Sequence, residues 1–425
     1  MTDKMDLVIL PFQDWKKNEI EGFRERDSHL IQHFERDERV EKILVLDRPI
    51  SLPEMVLKKR PWRIKNGQVV KRGHFYWLTR ASEKTFVLDI FSGDIFRPVI
   101  MRRDWWDFIL RHQKIIQKIK NSVDFLNMRD VVFFCCTPLS TGPVERLDKA
   151  LFVFDANDNW LQHPRIQDKR GFVARGYRFV KEKADLIFTN SKGLEEFFRG
   201  ARAPVVQWIP MGVDLERFAD STEEIPPDIR RIAHPIVGYN GRFAKRVNVE
   251  LFTYLLSSLP RVNFVFIGQF LDRSWAKPLF KYPNFYYLGN KHYTIYPRYL
   301  RAFDVCILPH YVSPNTEVSK SVEADLIALD SKGTVTQYQD PIKLYECLAA
   351  GKPIVTTPIA GVDVFKEFIT IAHSREEFAE DILYWLKKAK EEPDLPQKLR
   401  ATITEEHLWK TKARKMIGLI EERRP

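Results

Sequence analysis

The chain has 425 residues, 44% of them hydrophobic, and a formal net charge of +11. This length is too great for one ordinary hydrophobic core and predicts two domains, while the hydrophobic content excludes an intrinsically disordered chain. No apolar run approaches the roughly 20 residues that a membrane-spanning helix needs, so the sequence also excludes a transmembrane protein.

The distribution of charge and the cysteines bear on partners and compartment. Residues 51–120 contain 16 basic and 6 acidic residues, nearly the whole positive excess of the chain. Such a field attracts phosphates, whether on nucleic acid, anionic lipid or a diphosphate-bearing substrate. The four cysteines form no CxxC pair or disulfide framework, and the apolar stretch in MTDKMDLVILPF is too short for a signal peptide. We therefore expect a cytoplasmic protein.

Short apolar runs alternate with longer helical patterns through the first half of the chain. The runs that are typical of buried strands are MDLVILPF, EKILVLDRP, RDVVFFCC, KALFVFDA, ADLIFTNS and VVQWIPMG. Helix-length stretches such as 19–38 and 102–120 separate several of them. This alternation predicts a parallel sheet that is covered by helices on both faces.

Segment 102–120, RRDWWDFILRHQKIIQKIK, combines a broad apolar face with basic residues. One interpretation is an interfacial helix on an anionic membrane surface, and the other is a helix that covers the sheet and exposes its cations to solvent. The neighbouring stretch 58–77 adds cations and aromatic residues. No RNP or helix-turn-helix pattern accompanies them, so we expect no nucleic-acid partner.

The sequence FDANDNWLQHP follows one of the predicted strands and carries Asp155, Asp158 and His163. Its carboxylates either orient and deprotonate an acceptor hydroxyl or belong to a capped turn, because Asp and Asn favour turns in any case.

The strand pattern starts again in the second half, with HPIVGYNG, VNFVFIGQF, NFYYLG, FDVCILPH and KPIVTT. We expect an α/β protein of two doubly wound, Rossmann-like domains that face each other across a cleft. The first domain covers residues 1–211, the acidic and proline-containing stretch 212–233 is a linker, and the second domain covers 234–395. The last segment, 396–425, forms a helix that packs back on the first domain. Ligands of such sheets bind beyond the carboxyl ends of the strands.

HPIVGYNGRFAKR, at 234–246, is a predicted strand followed by a glycine-containing turn and three cations. Gly241 allows a close approach of the backbone to a ligand, and Arg242, Lys245 and Arg246 can hold a phosphate. A tight turn with solvated cations would have the same sequence, because the motif is neither a Walker loop nor GxGxxG.

DPIKLYECLAAGKPIVTT, at 340–357, predicts a short amphipathic helix followed by a buried strand. Asp340 can cap this helix, Pro341 suits its first turn and Gly351 can end it.

Lys343 and Glu346 share one face of this helix and are either a surface ion pair or two ligand contacts. In the ligand interpretation, the helix start at Asp340, Pro341 and Ile342 lies against the donor, and the free N–H groups of the first turn, to which proline contributes none, bind phosphate oxygens. Lys343 reaches the same group, and Glu346 accepts hydrogen bonds from a ribose diol.

The stretches FDANDNW, PMGVDLERF, VGYNGRFAKRVNVELFTYLLSSLPRVNFVFIG, YPNFYYLGNKHYTIYPRYLRAFDVCILPH and PIKLYECLAAGKPIV follow one another in this order. In this they resemble the family 4 (group 1) glycosyltransferases of GT-B fold, most of all the branch that builds bacterial surface polysaccharides, whose signature is PxKLYEYLAAGKPVV. The resemblance covers about 150–365, and residues 1–150 share only the strand pattern.

The resemblance implies a nucleotide-sugar donor, linked to UDP, GDP or dTDP, and usually retention of the anomeric configuration. In the family a Glu-x7-Glu motif contacts the donor sugar and ribose. Its second glutamate corresponds to Glu346, whereas Tyr338 stands in place of the first. Arg242, with Lys245 or Arg246, corresponds to the basic pair that grips the diphosphate.

We therefore predict an enzyme that moves a sugar from a nucleotide-sugar donor to a glycan or polyprenyl-diphosphate-linked glycan in surface-polysaccharide biosynthesis. The candidate catalytic residues are Arg242, Lys245, Asp155 and Asp158. No metal ion or other cofactor is expected, since side-chain cations and helix amides would do the work of a metal. The insertion-like stretch 316–339 is either a lid over the donor sugar or a surface excursion. A nucleotide-sugar epimerase of similar fold and a non-catalytic nucleotide- or sugar-binding protein are the alternatives.

Overall fold

The computed structural model describes residues 4–102, 104–162, 170–203, 205–219, 222–314, 318–328 and 338–424. The chain divides into two compact units. Unit 1 consists of Met1–Leu161, Arg165–Ile209 and Lys410–Pro425, and unit 2 consists of Gln162–Pro164 and Pro210–Trp409. Each unit is built on its own mainly parallel sheet, so the predicted α/β class with two Rossmann-like sheets is confirmed.

The described residues of unit 1 form a ten-stranded sheet. Its strands are β1 (Met5–Leu10), β2 (Val40–Leu46), β3 (Ile50–Ser51), β4 (Gln68–Gly73), β5 (Tyr76–Arg80), β6 (Thr85–Ser92), β7 (Val132–Cys135), β8 (Leu151–Ala156), β9 (Leu186–Thr189) and β10 (Val205–Trp208). The order is β10-β9-β8-β7-β1-β2-β6-β5-β4, and β3 pairs with β6. Two pairs, β4 with β5 and β5 with β6, are antiparallel, and the other pairs are parallel. The fully buried strands β1, β7 and β8 have the continuous apolar sequence of a sheet that is covered on both faces.

The helices of unit 1 lie between these strands. They are α1 (Trp15–Glu21), α2 (Arg26–Arg36), α3 (Leu52–Leu57), α4 (Arg97–Met101), α5 (Asp104–Leu110), α6 (Gln113–Phe125), α7 (Gly142–Arg146), α8 (Arg170–Lys183) and α9 (Lys192–Phe197). None of the helices in the described ranges is long and apolar enough to cross a bilayer.

Two predicted helices are each a pair of shorter helices. Stretch 19–38 contains the end of α1 and all of α2, because Gly22 adopts a left-handed conformation (φ 90°) and ends α1. Stretch 102–120 contains α5 and the first part of α6, which begins after His112, whose side chain accepts a hydrogen bond from the Lys114 amide.

The apolar face of 102–120 is buried, which decides between the two interpretations of that segment. Trp105, Ile109, Ile115 and Ile119 are all less than 8% exposed. The interpretation of this segment as an interfacial helix is therefore wrong. Its aromatic and branched side chains cover the sheet, where burying each one contributes roughly 1.5–3 kcal/mol.

The antiparallel strands β4, β5 and β6 were not predicted from the sequence. β4 is half-exposed and carries Lys71 and Arg72, so it lacks the apolar run that marks a buried strand. Its partner β5 buries Tyr76, Leu78 and Thr79, leaves Trp77 half-buried and exposes Arg80 at its end.

Unit 2 contains a parallel sheet with six strands in its described residues. They are β11 (Ile236–Asn240), β12 (Asn263–Ile267), β13 (Phe285–Tyr287), β14 (Val305–Leu308), β15 (Ile354–Thr356) and β16 (Thr370–Ile371), in the order β13-β12-β11-β14-β15-β16. The chain leaves β11 toward β12 on one side, and β14 lies on the other side. The carboxyl ends of β11 and β14 therefore flank a topological switch point, where doubly wound sheets bind ligands.

The helices of unit 2 and the last helix of the chain complete the fold. They are α10 (Leu215–Ala219), α11 (Pro227–Arg230), α12 (Val249–Ser258), α13 (Tyr296–Arg301), α14 (Ile342–Ala349), α15 (Arg375–Glu391), α16 (Leu395–Ala401) and α17 (Trp409–Glu421). The stretch predicted as a linker, 212–233, holds α10 and α11, and Phe218 and Ile229 are buried in the core of unit 2. Within unit 1, Glu421 of α17 forms an ion pair with Arg39 at 3.1 Å.

We expect Gly268→Ala to destabilise unit 2 by about 3 kcal/mol, because overpacking and a strained backbone act together. Gly268 follows β12 with φ +145°, and a Cβ atom there would lie 1.8 Å from the carbonyl oxygen of Gly241. Urea unfolding measures the change. Gly200→Ala is the control, since Gly200 also has a positive φ (+77°) but no atom within 4 Å of the added Cβ. Equal losses in both variants would contradict the close contact.

Candidate active site

Lys343 brings a positive charge to the switch point of unit 2. The residue belongs to the first turn of α14, and its ammonium nitrogen lies 5.2 Å from the ring centroid of Tyr239, which is in β11. A Cβ atom on Gly241 would lie 2.8 Å from this nitrogen, so the glycine is needed for Lys343 to reach the edge of the sheet. Gly241 and Lys343, two of the candidate donor-binding residues, are therefore neighbours in the structure.

The surroundings of Lys343 disfavour its own charge. Burial, and then repulsion from Arg246 and Arg242, lower the pKa of Lys343 to about 7, although Glu346 and Cys347 act in the opposite direction. No hydrogen-bond acceptor within the described residues lies within reach of this ammonium group. A cation in this situation gains from any anion that enters the site.

Arg246 extends the positive region, and His310 lies beside it without neutralising it. The Arg246 Nε atom is buried and has no hydrogen-bond partner in the part of the chain that the structure describes. His310, two residues beyond β14, is 1% exposed, and its Nε2 atom lies 3.2 Å from the Tyr239 hydroxyl oxygen. Burial and the charges of Lys343 and Arg246 hold the pKa of His310 well below its usual range, so this ring is neutral. Lys245 is exposed, and Arg242 is partly buried.

Glu346 lies deeper, among tyrosines. It is 3% exposed, its Oε1 atom accepts a hydrogen bond from the Tyr293 hydroxyl at 2.9 Å, and its Oε2 atom accepts one from the Tyr296 hydroxyl at 3.3 Å. Burial and the carboxylate raise the pKa of both tyrosines well above the usual value, so they remain donors. Asn240, at the end of β11, donates in turn to the Tyr296 oxygen. The interpretation of Lys343 and Glu346 as a surface ion pair is wrong, because Glu346 is buried.

The start of α14 differs from the prediction. Asp340 does not cap the helix: its carboxylate accepts hydrogen bonds from the Met211 amide at 2.6 Å and from the Tyr345 hydroxyl at 3.1 Å. Pro341 is the N-cap residue, and no side chain in the described residues caps the first turn. The amides of that turn, which includes Ile342 and Lys343, thus keep the partial positive charge of a helix N-terminus.

The end of α14 agrees with the prediction. Gly351 has φ +70°, and its amide and that of Lys352 close the last turn on the carbonyl groups of Leu348 and Cys347 at 2.8 Å. This is the glycine-terminated helix end that the sequence indicates.

The two carboxylates predicted in unit 1 have different surroundings. Asp155 is fully buried and receives two hydrogen bonds from Arg26, from Nε to Oδ2 at 2.9 Å and from the terminal nitrogen to Oδ1 at 3.0 Å. This ion pair joins the end of β8 to the start of α2. Asp158 is half-buried, and its backbone carbonyl accepts the Tyr177 hydroxyl at 2.9 Å. His163 lies outside the described residues, as do 316–317 and 329–337 of the insertion-like stretch. A catalytic role of Asp155 or Asp158 stays a prediction.

Several residues of the site were not identified from the sequence. Tyr239, Asn240, Tyr293, Tyr296 and His310 surround Lys343 and Glu346, but none was singled out within the stretches that resemble the family. Their position could have identified two of them as site residues. Asn240 and His310 lie at or just beyond the ends of the strands on either side of the switch point. No group of three or more His, Cys, Asp and Glu side chains in the described ranges is placed to hold a metal ion.

Comparison with known proteins concerns both the sequence and the fold. Residues 246–418 match the model of a family described as glycosyl transferase-like. No curated protein matches the sequence. Sucrose-phosphate synthase from Thermosynechococcus elongatus is 14% identical over 99% of this chain and 99% of its own, with a TM-score of 0.66. HepE from Anabaena, solved with UDP and glucose, is 15% identical over 98% and 99%, with a TM-score of 0.61.

The fold is GT-B. Starch synthase IV from Arabidopsis thaliana, solved with ADP and acarbose, shares it with 10% identity over 99% of both chains and a TM-score of 0.63. At such identities the likeness concerns the GT-B architecture, and chemistry has to be argued from the residues of this chain.

We expect Asp155→Asn to destabilise unit 1 by about 3–5 kcal/mol, because it removes the charge of the buried carboxylate that pairs with the Arg26 guanidinium. Urea unfolding measures the loss, and Asp148→Asn, an exposed carboxylate of the same unit, should change stability by less than about 0.5 kcal/mol. A stable Asp155→Asn protein with abolished sugar transfer would contradict the structural role and favour the catalytic one.

Proposed function

We propose that this protein is a GT-B glycosyltransferase that transfers a sugar from a nucleotide-sugar donor with retention of configuration. One observation carries the proposal: the cations Lys343, Arg246 and Arg242 lie together at the switch point of unit 2, where burial and then repulsion between these charges lower the pKa of Lys343 to about 7. Such an arrangement is unfavourable in the absence of an anion and favourable around a diphosphate.

The chemistry follows from where negative charge develops. As the bond between sugar and diphosphate breaks, the leaving diphosphate gains charge beside Lys343, Arg246 and the uncapped amides of α14. Stabilising this charge is the main catalytic contribution, and each fixed donor contributes about 3 kcal/mol. Side-chain cations thus take the place of a metal ion, and we propose that no cofactor is needed.

Glu346 orients the nucleoside end of the donor. Its oxygens are held by Tyr293 and Tyr296. A carboxylate has about four lone-pair positions, so it can accept these bonds and those of a ribose diol as well. Tyr338 stands where the family motif has its first glutamate, which contacts the donor sugar. Tyrosine can make such a contact only through its hydroxyl group.

The donor carries UDP, GDP, dTDP or another nucleoside diphosphate, and the acceptor is a glycan or lipid-linked glycan of surface-polysaccharide assembly. The solved GT-B structures with UDP and glucose or with ADP and acarbose support the nucleotide-sugar class. The family signature in α14 supports the polysaccharide branch.

We also propose that unit 1 associates with an anionic membrane through α3 and the segment 95–100, instead of through 102–120. Six large apolar side chains there are strongly exposed: Val56 60%, Leu57 78%, Ile95 48%, Phe96 75%, Val99 60% and Ile100 78%. Exposed cations flank them, namely Lys58, Lys59, Arg60, Arg97 and Arg102. Apolar side chains with adjacent cations match the chemistry of an anionic bilayer surface.

We expect nucleotide binding at pH 8 to be accompanied by uptake of about one proton, because the diphosphate restores the charge that Lys343 loses above pH 7 in the free protein. A thermal-shift screen of UDP, GDP, dTDP and ADP selects the nucleotide. Calorimetry in buffers of different ionisation enthalpy then counts the protons. Lys343→Met should abolish the uptake and weaken binding at least about tenfold.

Lys387→Met is the control, since Lys387 is a 75% exposed lysine of the same unit. Binding without proton uptake in the unaltered protein would contradict the role of Lys343. Nucleotide binding without hydrolysis or transfer to any acceptor would favour a non-catalytic binding protein.

We expect the protein to sediment with vesicles of phosphatidylglycerol and phosphatidylcholine at low salt and to dissociate at high salt. Phe96→Glu/Ile100→Glu should reduce partitioning at least about tenfold, because two exposed apolar anchors become charged. Leu383→Glu, at a 50% exposed leucine of unit 2, should leave partitioning unchanged. Sedimentation that is insensitive to the double substitution would contradict this surface.

A further inference from the structure

Unit 1 contains a second positively charged site, which none of the motifs identifies. A pocket of about 410 Å³ lies among the end of α4, the junction of α5 and α6, α7 and the first turns of α8. Helices α4, α7 and α8 belong to the connections that leave the carboxyl ends of β6, β7 and β8, the edge at which doubly wound sheets bind ligands. Three arginines line the pocket: Arg111, Arg146 and Arg175.

The guanidinium group of Arg111 is held in a fixed orientation. Its Nε atom lies 3.0 and 3.1 Å from the two carboxylate oxygens of Asp107, and a terminal nitrogen donates to the Thr141 hydroxyl at 3.0 Å. Another terminal nitrogen pairs with Glu145. A Cβ atom on Gly142 would lie 2.7 Å from the Arg111 Cγ atom, so the glycine allows the Arg111 side chain to pack against the start of α7. A preorganised cation loses little entropy on binding an anion.

The other two arginines carry charge that the carboxylates do not neutralise fully. Arg175 pairs with Asp107, the carboxylate it shares with Arg111, and its guanidinium carbon lies 4.9 Å from the Phe172 ring centroid. Arg146 is exposed, and within the described part of the chain it has neither a hydrogen-bonded nor an ion-paired partner. Three guanidinium groups against Asp107 and Glu145 leave a net positive charge.

The rest of the pocket wall is partly apolar and also includes His112 and Gln113. Phe108, Phe172 and Met101 form its apolar part. Met101 is the last residue of α4, the helix that exposes Val99 and Ile100 to solvent. An apolar surface therefore continues from the pocket along α4 to the outside of unit 1.

From this juxtaposition we propose that the pocket binds the phosphate group of an amphiphile, with the phosphate between Arg146 and Arg175 and the apolar part along Met101 and α4. Planar guanidinium groups bind phosphate oxygens in pairs, and the apolar walls favour a ligand that is not purely hydrophilic. If this ligand is the acceptor of the sugar, the acceptor is a lipid phosphate or diphosphate. Only that identification rests on the proposed function.

Direct binding of two probes tests the pocket. Dihexanoyl phosphatidic acid, used below its micelle concentration, carries a phosphate monoester and two short acyl chains, and glycerol 3-phosphate carries the same phosphate without them. We expect calorimetry to show binding of the lipid probe and at least about tenfold weaker binding of glycerol 3-phosphate, because only the first buries apolar surface. Arg146→Gln/Arg175→Gln should weaken binding of the lipid probe about thirtyfold.

Arg199→Gln is the matched control, since Arg199 is a 77% exposed arginine of unit 1 that is remote in sequence from the pocket-lining elements. Both pocket arginines are exposed, so the double variant should fold, and circular dichroism checks this. Unchanged affinity of the double variant would overturn the site. Equal affinity for the two probes would overturn the amphiphile and leave a soluble phosphate as the ligand source.

The same proteins separate this inference from the proposed function. The double variant should keep the nucleotide affinity of unit 2. Nucleotide binding without binding of either phosphate probe would overturn the pocket alone, and probe binding without any nucleotide binding would overturn the donor site alone.

Discussion

Three segments of unit 2 meet at a distance that only glycine permits, and the geometry of the proposed donor site depends on this contact. The backbone at Gly268 touches that of Gly241, and Gly241 in turn lies against the end of the Lys343 side chain. A larger residue at either position would separate the loops after β11 and β12 from the start of α14. The amides of α14 and the cations after β11 would then lie too far apart to bind the same ligand.

The cations of the two charged sites have different surroundings. Glu346 only partly offsets the burial of Lys343 and its repulsion from Arg246 and Arg242, so the pKa of Lys343 falls to about 7 and its charge depends on what enters the site. Arg111 is held by Asp107, Glu145 and Thr141 and keeps its charge whatever enters the pocket. The first arrangement suits a leaving group whose charge appears during a reaction. The second suits a group that is charged throughout.

Buried ion pairs also organise the loops of unit 1, at an energetic cost. Lys16, after β1, pairs with Asp47 after β2 and with Asp89 in β6, and Arg26 pairs with Asp155 in β8. Burial raises the pKa of Asp89 to about 7 in spite of Lys16, which measures how unfavourable this position is for a charge. Such pairs add little net stability, but removing one partner is costly, so they specify where the loops lie.

The sequence by itself determined the two sheets and the position of α14 with its glycine end, because apolar runs and glycine punctuation are local signals. It missed β4, whose half-exposed face carries Lys71 and Arg72, and it assigned Asp340 to a cap that the helix does not have. Only the tertiary structure decided that Glu346 is held by Tyr293 and Tyr296, that Asp155 is held by Arg26, and that three arginines share a pocket. The physical reason is that each of these contacts joins residues from separate elements, and a sequence records only what neighbours along the chain can do.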